Sequence, residues 1–89
     1  MKAIVTVVGR DTVGILAKVS AVCAEHNANI IDVSQSVMKE LFTMIMLVDI
    51  AKINSSFAEL QNALCELGDK IEMKIHVMHE DIFNSMHNI

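Results

Sequence analysis

The chain has 89 residues, 53% of them apolar, with three phenylalanines, no tyrosine or tryptophan, and a formal net charge of −4. That length makes one domain, and so much apolar surface in a short chain (mean hydropathy +0.45) points to self-association. The acidic balance and the missing aromatics exclude a nucleic-acid reader, which needs a basic stripe or stacking rings, and polar residues interrupt every apolar run before it could cross a bilayer.

Met1-Lys2 leads directly into the apolar run Ala3-Ile4-Val5-Thr6-Val7-Val8, so residues 2–8 read as a central strand with no secretory leader before it. Gly9 to Gly14 then mark a strand-to-helix turn. Ile15, Leu16, Val19, Val22, Cys23 and His26 recur at helical spacing, with Lys18 and Glu25 on the opposite side. Asn27-Ala28-Asn29 ends that helix, since asparagine tolerates the left-handed conformation of many helix stops.

From Ile30 to Met38 the pattern alternates. Ile31, Val33, Gln35 and Val37 share one face, and Asp32, Ser34 and Ser36 the other, as at a sheet edge. Lys39-Glu40-Leu41 reads as a hairpin turn, although it lacks an Asn-Gly pair. Phe42 to Ile50 returns with Phe42, Met44, Met46, Val48 and Ile50 on one face and Ile45 and Leu47 on the other, a second central strand. Ser56 and Glu59 have capping-box spacing before a helix with Phe57, Leu60, Leu64 and Leu67 as its buried stripe, closed by Gly68. Ile71, Met73, Ile75 and Val77 alternate with Glu72, Lys74 and His76 in a last strand. In the tail, Ile82, Phe83, Met86 and Ile89 fall on one side of a short helix that either frays or docks on a neighbouring subunit.

The order β-α-β-β-α-β predicts an α+β, ferredoxin-like sandwich: a four-stranded antiparallel sheet with two helices on one face. Residues 1–79 form the domain and 80–89 the tail. In that topology the first and third strands are central, and the open sheet face carries apolar residues that a second sheet or subunit would cover.

The functional expectation centres on the first turn. Gly9 offers backbone angles closed to other residues, and Gly14 clears a side chain from the start of the helix. Helix starts present unpaired N–H groups and the positive end of the macrodipole, a seat for a carboxylate. Arg10 can pair with a carboxylate, and Asp11 can hold an amine or simply cap the helix. N–H donors and a carboxylate in one loop suit the two ends of an amino acid. Cys23 and Cys65 lie far from any CxxC spacing and read as small core residues of a reduced, cytoplasmic protein. His76 and His79 point to opposite faces of a strand, His26 sits on an apolar helix stripe and His87 in the tail, so no metal site is expected. Met44, Met46 and Met73 read as core filler.

The strand followed by Gly9-Arg10-Asp11-Thr12-Val13-Gly14-Ile15-Leu16, and then by a helix leading to Asn29-Ile30, resembles the ACT domain, over the chain to about Met78. The likeness is to small stand-alone ACT proteins and to domains of the glycine-cleavage repressor type. It implies a ferredoxin-like fold that pairs through sheet edges or helices and binds amino-acid effectors at subunit interfaces near the first turn. Carried over by position, Asp11, Gly14 and the backbone at Val13 and Ile15 would bind, together with Gly9 and Arg10. Ile31, Asp32, Val33 and Ser34 of a second subunit would face them. The resemblance implies a regulatory homodimer or higher homo-oligomer with no cofactor, acting through an unknown partner protein. Two other classes compete with it. One is a protein-interaction module whose working surface is the apolar sheet face. The other is an acylphosphatase-like enzyme, which shares the element order and an arginine in the first turn. This sequence lacks that family's Gln-Gly-Val-x-x-Arg run, and Asp11 would repel an anion, so no enzyme is expected.

Overall fold

A computed structural model describes residues 1–87 of the chain. Four strands, β1 (Lys2–Arg10), β2 (Asn29–Met38), β3 (Leu41–Asp49) and β4 (Met73–His79), form one antiparallel sheet in the order β2-β3-β1-β4. Helices α1 (Ile15–Glu25) and α2 (Phe57–Lys70) cover one face, and a third helix, α3 (Glu80–His87), follows β4 without a break. The ferredoxin-like arrangement is as expected, with β1 and β3 at its centre.

The core lies between the sheet and the first two helices. Val5, Val7, Met44, Met46 and Val48 point from the sheet to meet Val19 and Cys23 of α1 and Leu60 and Leu64 of α2, all at 1% exposure or less. The expected β3 alternation is exact in effect, with Phe42 through Ile50 buried at every second position. Met44, Met46 and Met73 fill this core as read, and burial pushes the Cys23 thiol up to about 11.

Helix ends are set by local chemistry. Ser56 caps α2: its hydroxyl accepts from the Glu59 N–H at 3.1 Å and donates to the Glu59 carboxylate at 3.2 Å. At the end of α1, Asn27 takes the left-handed conformation (φ 57). His26 is half-buried there, with its ring Nδ1 2.7 Å from the Ser55 hydroxyl. Asn54 donates to the Glu25 carbonyl at 3.0 Å, answering a carbonyl that the helix leaves open.

Four expectations need correcting. β1 runs on through Gly9 and Arg10, so Gly9 is a strand residue; what it needs is space, because a Cβ there would stand 2.6 Å from the Met73 sulfur and 3.2 Å from the Glu72 carbonyl oxygen. Gly68 does not close α2, which continues to Lys70. It is buried inside the helix, where a Cβ would meet the Met73 carbonyl oxygen at 2.7 Å. Cys65 is exposed rather than buried, because it lies beside Leu64 and off the apolar stripe; its thiol donates to the Ile75 carbonyl at 3.5 Å. In β2 the register slips between Ile30 and Asp32, so Ile31 has no cross-strand partner and is 46% exposed, while Ile30 joins Val33 on the core side. Asp32, Ser34 and Ser36 are exposed on the edge strand as expected.

The tail forms a helix, and it contacts β1 and β4 of its own chain. Phe83 reaches the open sheet face, beside Thr6, Val8, Thr43, Ile45, His76 and Met78. Ile82 and Met86 stay 56% and 66% exposed. Ile89 lies outside the described residues.

Candidate functional site

Where β1 ends, the chain turns into α1 beside the segment that joins α2 to β4. This proximity follows from topology: β1 and β4 are antiparallel neighbours, with Gly9 opposite Met73, so the end of one strand meets the start of the other. Between them opens a cleft of about 380 Å³ lined by Arg10, Asp11, Thr12, Lys18, Lys70, Ile71 and Glu72.

The turn holds its shape through backbone contacts. The Asp11 N–H donates to the Glu40 carbonyl at 2.8 Å, which ties the turn to the β2–β3 hairpin. Arg10 and Glu40 form an ion pair at 3.6 Å, both side chains 80% exposed and so worth little energetically. Gly14 is the N-cap of α1, in the left-handed conformation with φ 85, and no side chain caps the helix. Asp11 therefore does not act as the cap. The first turn of α1 also carries no acidic residue, so no carboxylate of its own sits at its positive dipole end.

Of the ten sequence candidates, Arg10 and Asp11 line the cleft. Gly9 belongs to an adjoining groove of about 310 Å³ with Gly68, Asp69 and Met73, which shares Glu72 with the cleft. Val13, Gly14 and Ile15 form the turn itself. Val13 is 92% exposed, while the Ile15 side chain is committed to the core, leaving only its backbone for a ligand. Ile31, Asp32, Val33 and Ser34 sit elsewhere: Asp32 and Ile4 both pair with Leu47, six residues along β1 from Arg10, or about 20 Å at strand rise. The Asp32 carboxylate there accepts from the Val33 N–H at 2.9 Å, beside the bulge.

Thr12, Lys18, Lys70, Ile71 and Glu72 were not among the candidates. Lys18 reads as a solvated helix residue, and its nearness to the turn depends on lying one helical turn past Gly14, whose carbonyl accepts from the Lys18 N–H at 3.0 Å. Lys70 to Glu72 precede β4 in sequence, and only the β1–β4 pairing brings them to the turn. Their signal was therefore available in the expected topology rather than in any local motif.

A second concavity, about 470 Å³, lies on the open sheet face under Phe83 and is walled mainly by Val8, Ile45, Met78 and His76. Among the described residues, no group of three or more His, Cys, Asp and Glu stands together to hold a metal ion. No described helix is long and apolar enough to cross a membrane.

The sequence and the fold both have known relatives. A UPF0237 protein of Methanococcus maripaludis is 56% identical over 86 residues, 97% of this chain and 96% of that protein. The solved ACT domain protein from Streptococcus pneumoniae is 42% identical and matches with a TM-score of 0.81 over 93% of both chains. The regulatory subunit of aspartate kinase from Thermus thermophilus shares the fold at a TM-score of 0.69 and 22% identity, over 89% of this chain and 51% of that one. The family model for the ACT domain matches residues 2–78, and on that match and these relatives the chain belongs to the ACT domain family.

Proposed function

We propose that the protein is a cytoplasmic regulatory module that binds an amino-acid-like effector at the β1–α1 turn. It works as a homodimer or higher homo-oligomer and passes the signal to a partner protein. The observation that carries this reading is the cleft itself. It places Asp11 and Glu72 with Arg10, Lys18 and Lys70 around one space, next to a helix start that no acidic side chain caps. A carboxylate and an ammonium each find an opposite charge there. In the assembly, Ile31 to Ser34 of a second copy would complete the site, and the exposed Ile82 and Met86 of the tail would lie against a neighbouring subunit. The aspartate kinase subunit that shares this fold is a regulatory one, in keeping with this reading. An acylphosphatase-like activity has less support, because Asp11 and Glu72 stand in the cleft where an anionic phosphate would need to sit.

The test is a thermal-shift panel of amino acids on the ligand-free protein. A ligand at 100 times its Kd adds about 2.7 kcal/mol, which raises the midpoint of a domain this size by on the order of ten degrees. One selective hit, lost in Asp11→Ala, establishes the effector site. A flat panel removes it and favours the interaction module, whose surface would be the groove at Val8, Ile45 and Met78 on the open sheet face.

A further inference from the structure

We infer that two copies of this chain pack through the open sheet face about a twofold axis that runs across the strands. The α3 helix of each copy then covers the end of the face that the other copy leaves bare. This rests on the reading of the chain as a homo-oligomer and is independent of the effector site. The open face has two unlike ends. β4 gives way to α3 at the end where Ile4 pairs with Met78; at the opposite end Val8 pairs with Lys74 and Arg10 with Leu41. Exposure follows that direction. Ile4 lies between the core-facing Ala3 and Val5, so it points to the open face, yet it is 7% exposed without belonging to the core under α1 and α2. Val8 on the same strand is 36% exposed, and on β3 Ile45 is 43% and Leu41 49% exposed. The chain's own α3, which contacts β1 and β4, thus covers one end of the face and leaves the other to water.

Shape and charge both fit a second copy. Ile82 and Met86 are four residues apart on one side of α3, and they stay exposed while Phe83 meets the sheet. Beside Phe83 lies the hollow of about 470 Å³ floored by Thr6, Val8, Thr43 and Ile45. An axis across the strands exchanges the two ends of the face and keeps β1 over β1 and β4 over β4. Ile82 and Met86 of each copy then come down on the bare end of the other, near Val8 and Leu41. The first turn of α3 carries Glu80 and Asp81, the latter beside His79, and the bare end carries the exposed Lys74 with Arg10, itself shared with Glu40. Opposite charges therefore meet at the rim of an apolar contact. An axis along the strands would instead lay that acidic turn over Asp32, which stands level with Ile4 across Leu47, and like charges brought together are rejected. The contact is self-complementary and closes at two copies, as a twofold interface must.

Sedimentation equilibrium of the full chain, with no amino acid present, measures the association, and Met86→Glu and Leu41→Glu test it from the two sides of the contact. Each should weaken dimerisation about ten-fold or more, because every dimer holds the contact twice. The circular dichroism spectrum should not change, since both side chains are exposed in the single chain. Val37→Glu is the control: it is 53% exposed but lies opposite Phe42, on the side that faces the helices, and should leave the constant unmoved. Glu80→Lys should also weaken association, and Lys74→Glu in the same chain should restore it. Association unchanged in both Met86→Glu and Leu41→Glu overturns this interface while a homo-oligomer stands. Weakening by one of the two alone overturns the exchange of ends. An unmodified chain that stays monomeric at every concentration overturns both the interface and the homo-oligomer.

Discussion

Replacing Gly68 by alanine sets two effects against each other, and their sum has opposite signs in a free helix and in this fold. In an isolated α2 the change would help by about 1 kcal/mol, because glycine gives up more backbone freedom than alanine does. In the folded chain the new Cβ would stand 2.7 Å from the Met73 carbonyl oxygen and 3.0 and 3.3 Å from two carbons of Ile75. Ile75 can shift, but the carbonyl cannot: Met73 is fixed in the sheet opposite Gly9. The helix must lift instead. Lifting strains the hydrogen bond from the Gln61 amide to the Val77 carbonyl, 2.8 Å long, and loosens the packing of Leu60 and Leu64, which are 1% and 0% exposed.

Overpacking of this kind costs about 1–3 kcal/mol, and a rigid backbone neighbour places it near the upper end. After the propensity gain the net loss is about 2 kcal/mol, or a midpoint lowered by roughly 8–16 °C for a domain of this length. Thermal and urea unfolding followed by circular dichroism measure it. Asn62→Ala, at an exposed position of the same helix, serves as the control and should gain a few tenths of a kcal/mol. A Gly68→Ala protein as stable as the original, or more so, would refute the close approach of α2 to β4.

Ser56→Ala removes the one side-chain cap of α2 and should cost about 1 kcal/mol in urea unfolding, with the m-value unchanged. The two thiols should separate under a disulfide reagent, Cys65 reacting in the folded protein and Cys23 only after unfolding, since Cys23 is 1% exposed. Burial raises the Cys23 thiol from 9.0 to about 11, so between those pH values the unfolded chain loses its proton first and stability falls as pH rises. Below that window both states keep the proton and this slope vanishes, and Cys23→Ala should abolish the alkaline fall.

Most of the fold was legible because period and punctuation agreed. The alternation Phe42, Met44, Met46, Val48, Ile50 decided both the strand and its buried face, and Ser56 with Glu59 marked a helix start that the hydroxyl does cap. What escaped were features decided between elements. Gly68 looks like a helix stop in one dimension; that β4 passes within van der Waals reach of it is a tertiary fact. Lys39 takes the left-handed conformation (φ 58) in a turn without glycine or asparagine, so its residues did not announce the geometry. The bulge at Ile31 leaves no mark in an alternating run, because slipping one residue changes faces without changing composition. The site divided along the same line. Arg10 and Asp11 were readable from the turn, whereas Lys70 and Glu72 reach it only through the β1–β4 pairing.

That division bears on how the protein would work. The turn and the Ile31–Ser34 segment lie apart in one chain: Asp32 is level with Ile4 and Ser34 with Thr6, six and four residues from Arg10 or about 20 and 13 Å along the strand, and two strands over, so a single amino acid cannot touch both. If both belong to the site, the effector bridges two copies, and its binding is thermodynamically linked to their association. Sedimentation at protein concentrations around the dimer dissociation constant then has a definite expectation: the effector identified by titration shifts the equilibrium toward the larger species. Ser34→Arg, on the exposed edge strand, should weaken that shift and the affinity together. An effector that binds each chain with full affinity and leaves the association constant unmoved would take Ile31 to Ser34 out of the site. The cleft of one chain would then be the whole of it.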